Sequence, residues 1–207
     1  MTLATNLTQG LQALQLDLSS AIQTQLLDYL NLLTKWNRVY NLTAVRDVTQ
    51  MLPKHILDSL VVIPYVCGTQ ILDVGTGAGL PGLMLAIARP DWQCVLLDSN
   101  GKKIRFVTQA IIELKLKNVL AVRTRIEQFN PPTEKFTTII ARAYTNLSQF
   151  YQQNQQFVAT DGCLLAMKGV YPKAELEQIS QLPISIECLP LHVPQLEAQR
   201  HLVVMRP

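Results

Sequence analysis

No apolar run in this 207-residue sequence is long enough to cross a membrane. The strongest, such as Leu60 to Cys67, falls far short of the roughly 18 consecutive apolar residues that a spanning helix needs, so no membrane is expected among its partners. A basic-then-apolar leader is missing from the N-terminus as well, which makes the cytoplasm the expected location. Cysteine is sparse. Cys67, Cys94, Cys163 and Cys188 are scattered without a C-x-x-C pair, which argues against a zinc ribbon and a disulfide framework and leaves reduced core thiols as the simpler reading. No cluster of histidine, cysteine and carboxylate has metal-ligand spacing, so no metal is expected. Repeats, linkers and low-complexity segments are also absent. The charge balance is only mildly basic, and a net +3 permits a polyanionic partner without demonstrating one.

What is present is a chain with 48% hydrophobic residues, enough for one well-buried core. From Ser19 to Tyr40 the side chains Ile22, Leu26, Tyr29, Leu33, Trp36 and Tyr40 recur at spacings of three and four, the stripe of an amphipathic helix. A second helical stretch begins at Asp47, where Asp47 and Gln50 have capping-box spacing, and Pro53 is expected to break or restart it before "KHILDSLVVI". Beyond Thr69 the pattern changes to short apolar runs: Ile71 to Val74, Cys94 to Leu97, Val119 to Val122, Phe136 to Ala141 and Cys163 to Met167 read as buried strands. Helices are expected between them, for instance Gly101 to Leu116 and Leu147 to Ala159. Such alternation implies a mostly parallel sheet with helices on both faces. Ile184 to Leu191 and Leu202 to Met205 read as an added antiparallel edge.

The segment "ILDVGTGAGLPG", Ile71 to Gly82, joins the first strand to the following helix, and that turn is the usual ligand cradle of an open parallel sheet. Gly75, Gly77 and Gly79 allow positive backbone dihedrals and a close approach of a ligand to the main chain. Nucleotide, dinucleotide and S-adenosylmethionine sites share this geometry. A dinucleotide has real support, since Gly77, Gly79 and Gly82 satisfy G-x-G-x-x-G and Asp98 follows about twenty residues on. Against it stands Asp73, whose charge would oppose a pyrophosphate. A zwitterionic amino acid bearing a sulfonium suits an acidic turn better, which favours S-adenosylmethionine. A P-loop is excluded for want of a G-K-[ST] ending. Asp98 closes the second strand, where a carboxylate accepts from ribose hydroxyls, although Asp98 or Ser99 could equally cap the helix near Gly101. Ile126 and Glu127 follow the third strand, where an adenine would lie.

The chain resembles closely the bacterial small-subunit ribosomal RNA guanine-N7 methyltransferases, also known as glucose-inhibited division protein B. The resemblance spans nearly the whole chain and is carried by "LLTKWNRVYNLTAVRD", "HILDSLVV", "LDVGTGAGLPGLMLAI", "LLDSNGKKIRF", "IEQF", "ARAY", "AMKG" and "RHLVVM". It implies a class I S-adenosylmethionine-dependent methyltransferase fold, an α/β Rossmann-like sheet with an N-terminal helical extension. Residues 1–68 would form that helical part beside an RNA site, and 69–207 the catalytic core, in one compact unit. The implied reaction is methylation of one guanine in the decoding-region loop of 16S ribosomal RNA, with the RNA or the small ribosomal subunit as partner and DNA not expected. Gly75 and Leu80 are thereby assigned to the cofactor turn, Ile126 and Glu127 to its adenosine end, and Arg142 to the active-site rim. Two positions depart from the family's pattern: Pro53 interrupts an expected helix, and Tyr144 stands where phenylalanine is expected.

Guanine N7 carries a free lone pair and no proton, so attack on a sulfonium methyl needs no general base, and the lack of an evident catalytic dyad agrees with that reaction. Arg142 and Lys168 follow the fourth and fifth strands and are the candidate catalytic residues. A donor resting on N7 would block its attack, so Arg142 is expected at O6, at a phosphate or at the cofactor. The plainer role for each is an ion pair with a neighbouring acid. His55 and Asp58 share a helix face and either line the RNA entrance or pair with each other. His201 beside Arg200 has the same two readings, and His192 is expected to be structural. Tyr144 would stack on the base or join the core. "KKIR" at Lys102 to Arg105 reads first as a solvated helix face. The rivals are a nicotinamide oxidoreductase and a catalytically silent ribosomal RNA-binding factor.

Overall fold

The computed structural model describes residues 2–207. The chain opens with α1 (Leu3–Ala13), within the part of the chain expected to be helical, and α2 (Ser20–Tyr40). Ser19 caps α2 by accepting from the Ile22 amide, and Asn41 ends it with a left-handed φ of 49°. On the predicted stripe Leu26, Tyr29 and Leu33 are fully buried. Each such burial is worth about 1.5–3 kcal/mol, so tertiary packing rather than propensity holds this helix.

Next come α3 (Val48–Met51), a π-helical segment Leu52–Leu57 and α4 (Asp58–Leu60). Asp47 does cap this run, although through the Thr49 amide at 2.9 Å. Pro53 does not break it, contrary to the expectation from sequence. The wider turn, in which the Asp58 amide reaches the Pro53 carbonyl, takes in a residue that has no amide proton and would crowd an ordinary turn.

The core alternates β1 (Gln70–Val74), α5 (Gly82–Ala88), β2 (Gln93–Asp98), α6 (Gly101–Glu113), β3 (Val119–Arg123), β4 (Phe136–Arg142), α7 (Leu147–Asn154), β5 (Val158–Lys168), α8 (Lys173–Ile179), β6 (Ser185–Pro190) and β7 (His201–Arg206). The sheet order is β3-β2-β1-β4-β5-β7-β6. The first five strands are parallel and β7 is antiparallel to both neighbours, as expected of the last two apolar runs. Strand order reverses between β1 and β4, which opens a crevice beyond their carboxyl ends.

The helix expected over Leu147 to Ala159 stops at Asn154, because Val158 already pairs with Phe136. β5 then shifts register, pairing Cys163 with Thr138. Residues 159–162, Ala-Thr-Asp-Gly, therefore bulge, and only the apolar run after them carried a strand signal.

Alternation along the strands divides the interior. Ile71, Cys94 and Leu96 face a large cluster shared with α1, α2 and the π-helical segment, whereas Leu72, Val74, Val95 and Leu97 face a smaller one with Phe150 and Ile179. The N-terminal helices thus cover one face of the sheet and share its core. Among the described residues no helix is long and apolar enough to cross a membrane.

Candidate active site

The turn after β1 is fixed from two sides. The Gly75 and Thr76 amides both donate to the Leu97 carbonyl, at 2.8 and 3.0 Å, and the Gly77 amide donates to Asp98 Oδ2 at 2.9 Å. Gly75, Gly77 and Gly79 have φ of +70°, +61° and +83°, a region costly to residues with a β-carbon. Asp73 sits beneath the turn. Its Oδ2 accepts from Thr76 Oγ1 at 2.6 Å and from the Gly82 amide at 2.8 Å. Gly82 has to be glycine for that approach, since a β-carbon there would lie 2.7 Å from Asp73 Oδ2. Burial raises the Asp73 carboxyl to about 6 in spite of those hydrogen bonds, and its Oδ1 has no partner.

A cavity of about 410 Å³ opens at the carboxyl ends of β1 to β4. Gly75, Asp98, Ile126 and Glu127 line it, together with Lys103, Arg125, Tyr144 and Gln153. The remaining residues expected at the cofactor do not. Asp73 is buried and acts on the turn, because it lies on the same side of β1 as Ile71, the side packed against α5 and the N-terminal helices. Gly77 and Gly79 shape the turn, Leu80 is buried in the core, and Arg142 lines a different cavity. Asp98 is not the helix cap: Asn100 caps α6 by accepting from the Lys102 and Lys103 amides, while Asp98 Oδ1 accepts from the Asn100 amide at 2.8 Å.

S-adenosylmethionine fits this cavity. At its floor the Tyr144 ring packs directly on Gly75, where a β-carbon would lie 2.5 Å from it. The carboxylates of Asp98 and Glu127 and the apolar side chain of Ile126 supply partners for a ribose and an adenine. Tyr144, expected over the base or in the core, lines this cavity. Its hydroxyl hydrogen-bonds Gln153 Oε1 at 3.0 Å, and Gln153 Nε2 donates to Glu127 Oε1 at 2.7 Å.

A second cavity, of about 460 Å³, adjoins the first at Ala143. Its centre is Asp58, almost wholly buried, whose two oxygens accept from Arg142 Nη1 at 3.0 Å and Arg200 Nε at 2.7 Å. Two guanidinium groups on one carboxylate leave the cavity positive. His55 lines it too and contacts Thr43 Oγ1 through Nε2 at 3.0 Å. Burial and the nearby Arg142 lower its pKa to about 4, so the ring is neutral at neutral pH. Lys168 is here as well, with Nζ 2.8 Å from Glu175 Oε2 and 3.0 Å from the Thr145 carbonyl, the ion pair that was its plainer role.

His55 and Asp58 are therefore brought together at this cavity, without pairing to each other. Sequence reasoning missed Lys54 and Val45 and undervalued Arg200. Only their presence in "NLTAVRD", "KHILDSLVVI" and "RHLVVM" marked them, since Asp58 and Arg200 meet across 142 positions of chain. His192 and His201 lie outside both cavities.

This sheet, with a glycine turn after β1 and an acid closing β2, defines a class I S-adenosylmethionine-dependent methyltransferase. A solved S-adenosylmethionine-dependent methyltransferase from Aquifex aeolicus shares the fold, with a TM-score of 0.60 at 16% identity over 76% of this chain and 93% of that one. Residues 22–203 match the family described as rRNA small subunit methyltransferase G, and the chain belongs to it. It is 49% identical to the ribosomal RNA small subunit methyltransferase G of Nitrosococcus oceani, over 97% of this chain and 94% of that one. The protein of the same name from Laribacter hongkongensis is 47% identical over 98% of each.

Proposed function

We propose that this enzyme methylates N7 of one guanine in the decoding-region loop of 16S ribosomal RNA, and that the second cavity receives the base. The observation that carries the reading is the meeting of the two cavities at Ala143, with Arg142 and Arg200 held on one buried carboxylate just beyond it. The cofactor, when bound, supplies an electrophilic methyl group on a sulfonium. The chain's own residues orient the two reactants, which is the main demand when the nucleophile is an unprotonated lone pair. No free base faces the second cavity from Asp58, because both its oxygens are engaged by arginines.

Guanidinium N–H groups match guanine O6 or a backbone phosphate, and contact with N7 itself would block transfer. We therefore assign Arg142 and Arg200 to O6 or phosphate, and Lys168 to supporting the cavity wall through Glu175. Residues 1–68 supply Val45, Lys54, His55 and Asp58 to that cavity, and so form one wall of the RNA site. The partner is 16S ribosomal RNA or the small subunit, met in the cytoplasm. The names of the relatives above support a small-subunit ribosomal RNA substrate.

The test is methyl transfer from labelled S-adenosylmethionine to unmodified small subunits and to their stripped RNA, with the labelled nucleotide mapped. A single 7-methylguanosine in the decoding-region loop is expected. Asp58→Asn, which removes the charge and sets an amide N–H against one of the two guanidinium groups, should lower kcat/KM by roughly thirtyfold or more with cofactor affinity unchanged. Cofactor binding without transfer to either substrate would overturn the assignment.

A further inference from the structure

Positive charge is concentrated in one stretch of the chain. Residues 101–126 hold seven of the 18 Lys and Arg side chains and one of the 15 acids, Glu113. The rest of the chain is net acidic, eleven cations against fourteen acids. In the fold this stretch is α6, the edge strand β3 and the loop that follows it, and its cations separate to opposite ends of the sheet. Lys115 and Lys117 follow the end of α6, at the far end from the cofactor cavity. Lys102, Lys103, Arg105, Arg123 and Arg125 gather at the near end. The Arg123 guanidinium lies over the first turn of α6, with Cζ 2.9 Å from where a β-carbon on Gly101 would sit, and Lys103 and Arg125 line the cavity itself. Lys102, Arg105, Arg123 and Arg125 are exposed, and among the described residues none has an acidic oxygen within 4.0 Å.

We infer that this near-end group is a phosphate-binding surface for the RNA that flanks the target guanine, an inference that rests on the methyl-transfer reading above. Like charges left unpaired at short range repel one another and gain most from a polyanion. The group borders the cofactor cavity on the side opposite the second cavity, which it meets only through the shared mouth at Ala143. An RNA strand with its guanine beyond Ala143 continues past that mouth, and its neighbouring phosphates come to the cations at the head of α6. Such contacts carry affinity without base specificity and position the strand. Within "KKIR" Lys103 has an acidic partner, Asp98 Oδ2 at 3.7 Å, but the solvated-face reading explains neither the segregation of charge nor the lack of such partners at Lys102 and Arg105.

The experiment compares two pairs with equal charge change, Lys102→Glu/Arg105→Glu at the near end and Lys115→Glu/Lys117→Glu at the far end. Neither pair includes a residue that lines the cofactor cavity or the second cavity. KM for unmodified 16S RNA is measured across a salt series, with cofactor affinity and Tm showing that each variant is folded. The near-end pair should raise the RNA KM about tenfold or more at physiological salt and flatten its log–log salt dependence by roughly one to two. The far-end pair should change KM less than about twofold, and Lys102→Gln/Arg105→Gln should give a smaller effect of the same sign as the near-end pair. Equal effects from both ends, or none from the near end while the wild type methylates, would overturn the inference. If the wild type transfers no methyl group, the functional reading fails instead, and the same salt series read as binding of the RNA fragment decides the surface separately.

Discussion

Gly75 carries a φ of +70°, and the Tyr144 ring occupies the place of its missing β-carbon. Gly75→Ala therefore meets both a backbone cost of about 1–2 kcal/mol and a clash, and we expect S-adenosylmethionine to bind at least roughly tenfold more weakly by titration calorimetry. Adding Tyr144→Ala should recover part of the loss, since the ring can be removed but the dihedral cannot. Recovery to full affinity would mean that the dihedral costs nothing. The cavity residues Gly75, Asp98, Ile126 and Glu127 were legible in the sequence because strand-end positions and glycine turns are local patterns. Asp73, expected at the cofactor, is buried beneath the turn for a reason equally local. A strand alternates its faces every residue, so an acid two residues from the core side chain Ile71 points with it into the helices.

At the level of helices and strands, the apolar stripe of α2 announced a packed helix but not its target. Tyr29 shows what the contact does. Its buried hydroxyl donates to the Ala78 carbonyl at 2.7 Å, which ties α2 to the glycine turn, and burial raises its pKa. Tyr29→Phe leaves that carbonyl unpaired and should cost about 1–2 kcal/mol in urea unfolding. It should also weaken cofactor binding several-fold, a coupling absent if the turn stands without the helix. The ends of elements were less legible than their existence. α7 ends early because long-range pairing of Val158 with Phe136 claims residues that a helical pattern also fitted. Pro53 is accommodated by a π turn that neighbouring residues do not signal.

Over the whole molecule two buried groups pull stability in opposite directions with pH. The Asp73 carboxyl rises from 3.8 to about 6, so its proton is held more tightly in the fold, and the stability this lends below pH 3.8 is lost as pH rises to about 6. His55 falls from 6.5 to about 4, so its share is full above pH 6.5 and is lost as pH falls to about 4. Each effect amounts to about 3 kcal/mol, and together they nearly cancel. His55→Asn should therefore make the protein more stable on acidification from pH 6 to 4, and Asp73→Asn less stable, in urea unfolding across that range. Single variants as flat as the wild type would remove this balance. Periodicity, glycine placement and family-like segments were sufficient for the fold class, the strand positions, the cofactor turn and the methyltransferase family, because all of these are written in short stretches of adjacent residues. The grouping of Asp58 with Arg142 and Arg200, the junction of two cavities at Ala143 and the gathering of cations at one end of the sheet came only from folding. The first two depend on residues far apart in the chain that a seven-stranded sheet and its covering helices bring together, and the third on α6 and β3 returning the two ends of one basic stretch to the same end of the sheet.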